Sequence, residues 1–387
     1  MSLIYLDNSA TTALSPAVRN AMTEAMDAFG NPSSLHGAGQ ISAGIVAKAR
    51  EEVLRAAGFR SADGWHVIFT GSGSEANNLA ILGSARAKTH FDSKRILITD
   101  SEHPSVTNCA ARLAAEGFET VLIPTKKGRI DLEVLEKELK KGAFLVSFML
   151  VNNETGAYYD VECAAGIVRR LCPDALIHCD AVQGFLRVPL PRASSGVDMI
   201  TVSAHKIHGP KGTGALLVSP GVFRRRQLSP VIYGGGQEEG LRSGTENVVC
   251  IAGFGAACRE GREAFAANAE KVRVLREYAG EKLSAVGVKV NEPERRADHI
   301  ISVTLPDIKS QTMLNFLSAE GICVSAGSAC SSHDRHLSPV LISFGLTERE
   351  ADSTIRVSLC ADNEKEDIDA LCDALSGAMA RLVRIKR

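Results

Sequence analysis

No stretch of this chain approaches the roughly 18 consecutive apolar residues of a membrane span, and neither sign of charge prevails among its 387 residues. With 44 Lys and Arg against 45 Asp and Glu, the formal net charge is −1. No global field therefore marks a nucleic-acid or membrane-surface binder, and local basic runs such as Arg224, Arg225 and Arg226 read as a solvated face. The opening residues, MSLIYLDNSATT, lack a basic segment followed by an apolar one, so the expected location is the cytoplasm. The ten cysteines contain no CxxC pair, which excludes a disulfide framework or zinc ribbon and suits a reducing compartment. Cys109, Cys179, Cys250 and Cys258 sit in apolar contexts and are expected as small core residues. Internal repeats, low-complexity segments and Pro-Gly-rich linkers are also missing, so the chain should pack as one large and one smaller domain in close contact.

What is present is an alternation of short apolar runs with longer helix-like segments. His66–Thr70 precedes Glu75–Lys88, Arg95–Thr99 precedes Ser105–Glu116, and Thr120–Pro124 precedes Asp131–Lys140. Then come Phe144–Val151, a helical stretch from Val161, Leu176–Cys179 and Met199–Ser203. Continuous Val/Ile/Leu/Phe runs are strands buried on both faces, which predicts a mostly parallel sheet covered by helices, an α/β sandwich. From about residue 260 the pattern changes to a charged amphipathic helix, Glu260 to about Leu283, with strands expected at Ile300–Leu305 and Ile355–Leu359. A large domain over residues 16–259 is thus expected beside a smaller α+β domain made from 1–15 and 260–387.

Three strand ends carry chemistry. Gly71-Ser72-Gly73-Ser74-Glu75 follows a strand and opens a helix, a turn that aims backbone N–H groups and the helix dipole at one spot and can hold a phosphate. It is neither a Walker loop nor a dinucleotide fingerprint, and alone it could be mere connection. Asp180 ends an apolar strand at the edge where α/β sheets bind ligands, although alone it could cap a helix. Lys206 follows Met199–Ser203 in a Gly-rich turn, where a lone lysine would be a surface charge. Together, an anion cup, a strand-end carboxylate and a strand-end amine meet what pyridoxal phosphate requires: a phosphate site, a partner for the protonated ring nitrogen, and a Schiff-base amine.

The segments YLDNSATT, NPSSLHGAG, GSGSEANN, SEHPSV, VNNETG, HCDAVQ, SAHKIHGPKG, GGGQEEGLRSGTEN and SAGSAC, in order from Tyr5 to about Arg356, resemble the motif series of NifS/IscS-type cysteine desulfurases. These lie within the class V aminotransferase superfamily of fold-type I pyridoxal-phosphate enzymes. The resemblance implies a seven-stranded, mostly parallel sheet in the large domain. It implies that Lys206 forms the Schiff base and that Asp180 pairs with the pyridinium nitrogen. His103 would stack on the ring and take part in proton movement, with Asn153 and Gln183 beside the ring hydroxyl and substrate. Gly73, Ser74, Ser203 and His205 would bind phosphate, and Thr245 would reach the site of a neighbouring subunit, so that a homodimer shares its active sites. Arg356 would hold the carboxylate of L-cysteine, a task suited to a planar fork.

Cys330 stands among Ser325, Gly327, Ser328, Ser331 and Ser332, in a loop over about 323–336 expected to be flexible. The resemblance makes it the thiolate that takes sulfur from cysteine as a persulfide, releases alanine, and hands the sulfur on. His333, Arg335 and His336 are nearby in sequence and could favour thiolate. A metal site built from Cys330, His333 and His336 lacks an apparent fourth ligand. The loop matches the longer, group I type, which favours direct handover to an iron–sulfur scaffold or a tRNA-thiolation enzyme. Two departures touch the choice of acceptor: Ser358-Leu359-Cys360-Ala361 stands where relatives often read SLGR, and the chain stops at Val383-Arg384-Ile385-Lys386-Arg387 without the scaffold-engaging tail. The alternatives are a selenocysteine lyase or another class V aminotransferase, which has no use for Cys330, and a catalytically silent scaffold, which has no use for Lys206, Asp180 and His103 together.

Overall fold

The computed structural model describes residues 3–88, 90–327 and 337–382. Thirteen strands occur among them, numbered here in chain order: β1 Ile4–Tyr5, β2 His66–Thr70, β3 Arg95–Thr99, β4 Glu119–Ile123, β5 Leu145–Met149, β6 Leu176–Asp180, β7 Met199–Ser203, β8 Gly214–Val218, β9 Lys289–Val290, β10 Ile300–Thr304, β11 Ile322–Cys323, β12 Ser325–Ala326 and β13 Thr354–Ser358. Seven of them form one sheet in the order β2-β8-β7-β6-β5-β3-β4. Pairing is parallel from β7 through β4 and antiparallel on both sides of β8, so β8 alone runs against the other six. Strands β3, β5, β6 and β7 are buried along their whole length, as their unbroken apolar sequences predict.

One consequence of this topology positions the site. Strands β2, β3, β5, β6 and β7 all end at the same edge, so the segments that leave them converge there. Helices Pro16–Met26, Gly37–Ala56 and Val248–Glu263 cover one face with the larger apolar cluster. Helix Pro104–Ala115 and the helical run 73–87 cover the other.

The expected single helix from Glu260 to Leu283 is two helices, Val248–Glu263 and Phe265–Val286, broken at Ala264 with φ −93° and ψ 1°. The break follows from what each covers. The first buries Ile251, Phe254 and Cys258 in the large cluster, whereas the second buries Val272, Leu275, Ala279 and Leu283 in a separate one with Leu6, Ile355 and Leu375. That second cluster backs the antiparallel sheet β12-β13-β10-β9. Short β1 pairs in parallel with β11, and the residues after β1 reach the large unit, where Thr12 Oγ1 donates to the His205 carbonyl at 3.0 Å. Of the expected core cysteines, Cys109, Cys179 and Cys258 are buried, and Cys250, in the first turn of its helix, is only half-buried. No helix among the described residues is long and apolar enough to cross a membrane.

Candidate active site

At the converging strand ends lies a cavity of about 270 Å³. After β2, Ser72 caps the helical run by accepting from Glu75 N–H at 3.1 Å. Gly73 and Ser74 lie in its first turn, where N–H groups have no helical acceptor. The turn sits close on its neighbours: a Cβ at Gly73 would come within 2.8 Å of Val182 Cγ2, and one at Gly214, which opens β8, within 2.8 Å of Gly73 N. Glu75 fixes the turn from below, accepting from Gly71 N–H at 2.8 Å and from Arg242 Nε at 2.9 Å. Ser203, ending β7, and His205 face the same cavity. Burial, together with Lys206 and Lys211, lowers the His205 imidazole to about 4, so it meets an anion as a neutral hydrogen-bonding group.

Asp180 ends β6, 4% exposed. One of its oxygens accepts from Val182 N–H at 3.0 Å and the other from Asn77 Nδ2 at 2.8 Å. Asn77 also donates to Ser105 Oγ at 2.8 Å, and that hydroxyl lies 2.8 Å from His103 Nδ1, which accepts from Ser105 N–H as well. Carboxylate, amide, hydroxyl and imidazole thus form one chain. Because the neighbours of Nδ1 are donors, Nε2 carries the proton of the neutral ring. Burial is the main cause that holds His103 below the ordinary imidazole range; Asp180 opposes it and Lys206 adds to it. His103 therefore senses both charges across the cavity.

Lys206 is presented by a 3-10 turn, Ala204–Lys206. Its Nζ donates to the Ser9 carbonyl at 2.5 Å and the Ala10 carbonyl at 2.9 Å, and Gln183 Nε2 donates to the same Ser9 carbonyl at 2.9 Å. Arg356 enters from β13 of the small sheet. Its Nη1 donates to the Asn153 carbonyl at 2.8 Å and its Nη2 to Asp7 Oδ1 at 2.9 Å, while its Nε is buried without an acceptor. Asn153, following β5, lines the same wall.

Ten of the residues expected from sequence therefore share one cavity: Gly73, Ser74, His103, Asn153, Asp180, Gln183, Ser203, His205, Lys206 and Arg356. Thr245 is exposed and does not line the cavity of its own chain. Cys330, with Ser328, Ser331, Ser332, His333, Arg335 and His336, lies outside the described residues. Sequence reasoning missed Asn77, although it stands one helical turn after Ser74 on the same face. It also missed the Ser9 and Ala10 carbonyls, which no side-chain motif announces. Glu102 was missed as well: this fully buried carboxyl is pushed up to about 8, chiefly by burial and further by Asp180, against hydrogen bonds from Thr99 and Met149 N–H. At neutral pH Glu102 is thus mostly protonated.

The donor set fits pyridoxal phosphate. There is an anion turn with free N–H groups, a buried carboxylate for a ring nitrogen and an amine lining the same cavity. Beside them stand a planar neutral imidazole and buried polar atoms still lacking partners, Asn77 Oδ1 and Ser9 Oγ.

The pattern of the family described as aminotransferase class-V matches residues 4–371. Cysteine desulfurase IscS 1 of Archaeoglobus fulgidus is 35% identical over 386 residues, spanning 98% of this chain and 97% of that relative. Among solved structures, a NifS-like protein superposes with a TM-score of 0.90 at 33% identity, covering 98% of this chain and 100% of the other. SspA in complex with cysteine superposes with a TM-score of 0.78 at 30% identity, covering 92% and 98%.

Proposed function

Since the chain belongs to the aminotransferase class-V family, in its NifS/IscS-type cysteine desulfurase branch, we propose that it removes sulfur from L-cysteine with pyridoxal 5′-phosphate as cofactor, giving L-alanine and a Cys330 persulfide. The observation that carries this reading is the sharing of one cavity by Lys206, Asp180, His103 and the Gly73–Ser74 turn.

When bound, the cofactor supplies an electron-withdrawing ring over which the negative charge of a deprotonated substrate spreads. The chain's own residues do the rest. Asp180, kept in place by Asn77 and Val182 N–H, provides the negative charge that keeps a ring nitrogen protonated. The turn at Gly73 and Ser74, with Ser203 and His205, takes the phosphate. Lys206 would hold the cofactor, and its amine would take the proton from Cα of the substrate. Arg356 binds the substrate carboxylate by exchanging the Asn153 carbonyl or Asp7 for it. The Cys330 thiolate then attacks the substrate sulfur: an S–S bond forms, the C–S bond breaks, and its electron pair stays with the three-carbon skeleton. That skeleton takes up protons and leaves as alanine.

A homodimer is part of the proposal. Thr245 is exposed, and so are Phe29 at 88%, Leu35 at 91% and Tyr233 at 72%. Helices Pro16–Met26 and Val248–Glu263 run antiparallel, with Ser15 against Glu260 and Met22 against Gly253. Phe29 therefore emerges beside the segment that carries Thr245. An apolar surface next to an unused motif residue suits a second copy that completes each site. The persulfide passes to an acceptor protein, an iron–sulfur scaffold or a tRNA-thiolation enzyme, and free thiols at every described cysteine suit the reducing cytoplasm.

The deciding assay incubates holoenzyme with L-cysteine and no keto acid. Alanine should form in step with bound persulfide. A requirement for a keto acid would assign an aminotransferase instead, and turnover confined to selenocysteine would assign a lyase for that substrate. Arg356→Lys should raise KM for cysteine by on the order of tenfold to a hundredfold, the loss of a charged fork worth about 1.5–3 kcal/mol, with kcat less affected. An unchanged KM would remove Arg356 from the carboxylate site.

A further inference from the structure

Cys360 stands where the chain departs from SLGR, and the fold gives its thiol two neighbours. One ring nitrogen of His208, Cys360 Sγ and an Asp362 carboxylate oxygen lie within 4.8 Å of one another, and His208 Nδ1 is 3.9 Å from Asp362 Oδ2. His208 comes from the large unit, two residues past Lys206, whereas Cys360 and Asp362 come from the turn after β13. Both supports are built in. The Cys360 N–H donates to Asn363 Oδ1 at 2.9 Å, and Asn363 N–H returns to the Cys360 carbonyl at 3.2 Å. His208 has φ 64°, a left-handed conformation that a non-glycine residue keeps only where its surroundings impose it. Here its N–H donates to Thr12 Oγ1 at 2.7 Å and its carbonyl accepts from Ser15 N–H at 3.2 Å. Cys360 is 4% exposed and Asp362 faces solvent, so the group has a dry sulfur end and a wet oxygen end.

We propose that His208, Cys360 and Asp362 bind one divalent ion of the zinc type, with water completing the shell, and that this ion joins the Lys206 turn to the end of β13. Thiolate with imidazole selects borderline-soft ions over magnesium or calcium. Zinc bonds of about 2.0–2.3 Å in a tetrahedron set ligand atoms roughly 3.3–3.7 Å apart, against separations of at most 4.8 Å here, so the group closes by no more than about 1.5 Å on binding. The Ala13 carbonyl lies 3.1 Å from His208 Nδ1, a contact that an ion taken by that nitrogen would replace. Arg187 is the group that opposes a cation: it is buried and interacts with both Cys360 and Asp362, and its Nη2 donates to the Lys206 carbonyl at 3.0 Å. Thiolate and carboxylate together outweigh its single charge. On binding, the Cys360 thiol releases its proton to solvent and the sulfur takes the metal; nothing is oxidised.

The test is equilibrium dialysis of holoenzyme against limiting Zn²⁺, with elemental analysis and zinc X-ray absorption. Wild type should retain roughly one ion per chain with a single sulfur in its shell. Cys360→Ser should lose the sulfur-bound ion, and Asp362→Asn, at an exposed position that leaves folding intact, should weaken retention on the order of tenfold. Wild type without retained zinc, or the same sulfur-bound zinc in both variants, overturns the proposal. If Cys360→Ser does not fold, the Asp362→Asn result decides alone.

Discussion

Lys206→Ala is expected to abolish the visible absorption of the lysine-bound cofactor and to cut kcat/KM for cysteine by at least about 10³-fold. The expectation rests on where the amine is held. Its Nζ is fixed by the main-chain carbonyls of Ser9 and Ala10, which no substitution at those positions removes, and it lines the same cavity as Asp180 and His103. Alanine deletes two functions together, the attachment of the cofactor and the base for the Cα proton; a positioned general base alone contributes roughly 10²–10⁴-fold. No other described side chain of the cavity substitutes for it: His103 is turned to Ser105 through Nδ1 and held neutral by burial, and His205 is lowered to about 4. The phosphate turn at Gly73 and Ser74 is untouched, so the variant should still bind cofactor, without its lysine-linked spectrum. An unchanged visible spectrum would show that another amine holds the cofactor.

Much of this site was legible because of the way parallel sheets are written in sequence. A strand buried on both faces is an unbroken apolar run, and the polar residue that ends it marks the functional edge. Asp180 after Leu176–Cys179 and Lys206 after Met199–Ser203 could therefore be placed before any fold was known. The same rule hid β8. Gly214–Val218 is as apolar as its neighbours, but nothing in GALLV tells that it runs against the other six strands. Its role lies in packing, since Gly214 must press on the backbone of Ser72 and Gly73. The break at Ala264 was hidden too, because the sequence on both sides favours helix and only the two clusters they cover demand a change of direction. Glu102 illustrates a third limit. A glutamate in SEHPSV gives no sign that it will be buried near Asp180 and pushed to about 8, a property set by burial that only the assembled fold creates, against the hydrogen bonds from Thr99 and Met149. Arg356 was placed by resemblance, whereas its restraint by Asp7 and the Asn153 carbonyl requires three segments far apart in the chain.

Cys330→Ser should keep the cofactor spectrum of the wild type and form no persulfide and no alanine from cysteine above background. The other thiols make the prediction sharp. Cys179 is the one nearest the chemistry by sequence, adjacent to Asp180, yet it is fully buried in the large cluster, and burial, reinforced by Asp180 and Glu102, raises its thiol well above the ordinary range. Burial likewise raises Cys109 to about 11, Cys372 to about 11, and Cys258 well above its usual value. A thiol held protonated is a poor nucleophile toward sulfur, so these cysteines cannot stand in for one that attacks as thiolate. Mapping bound sulfane sulfur after a single turnover should accordingly find it on Cys330 in the wild type and on no cysteine in the variant. Undiminished alanine formation by Cys330→Ser would mean that the C–S bond breaks without a protein thiol, and the persulfide step would have to be abandoned while the roles of Lys206 and Asp180 stood.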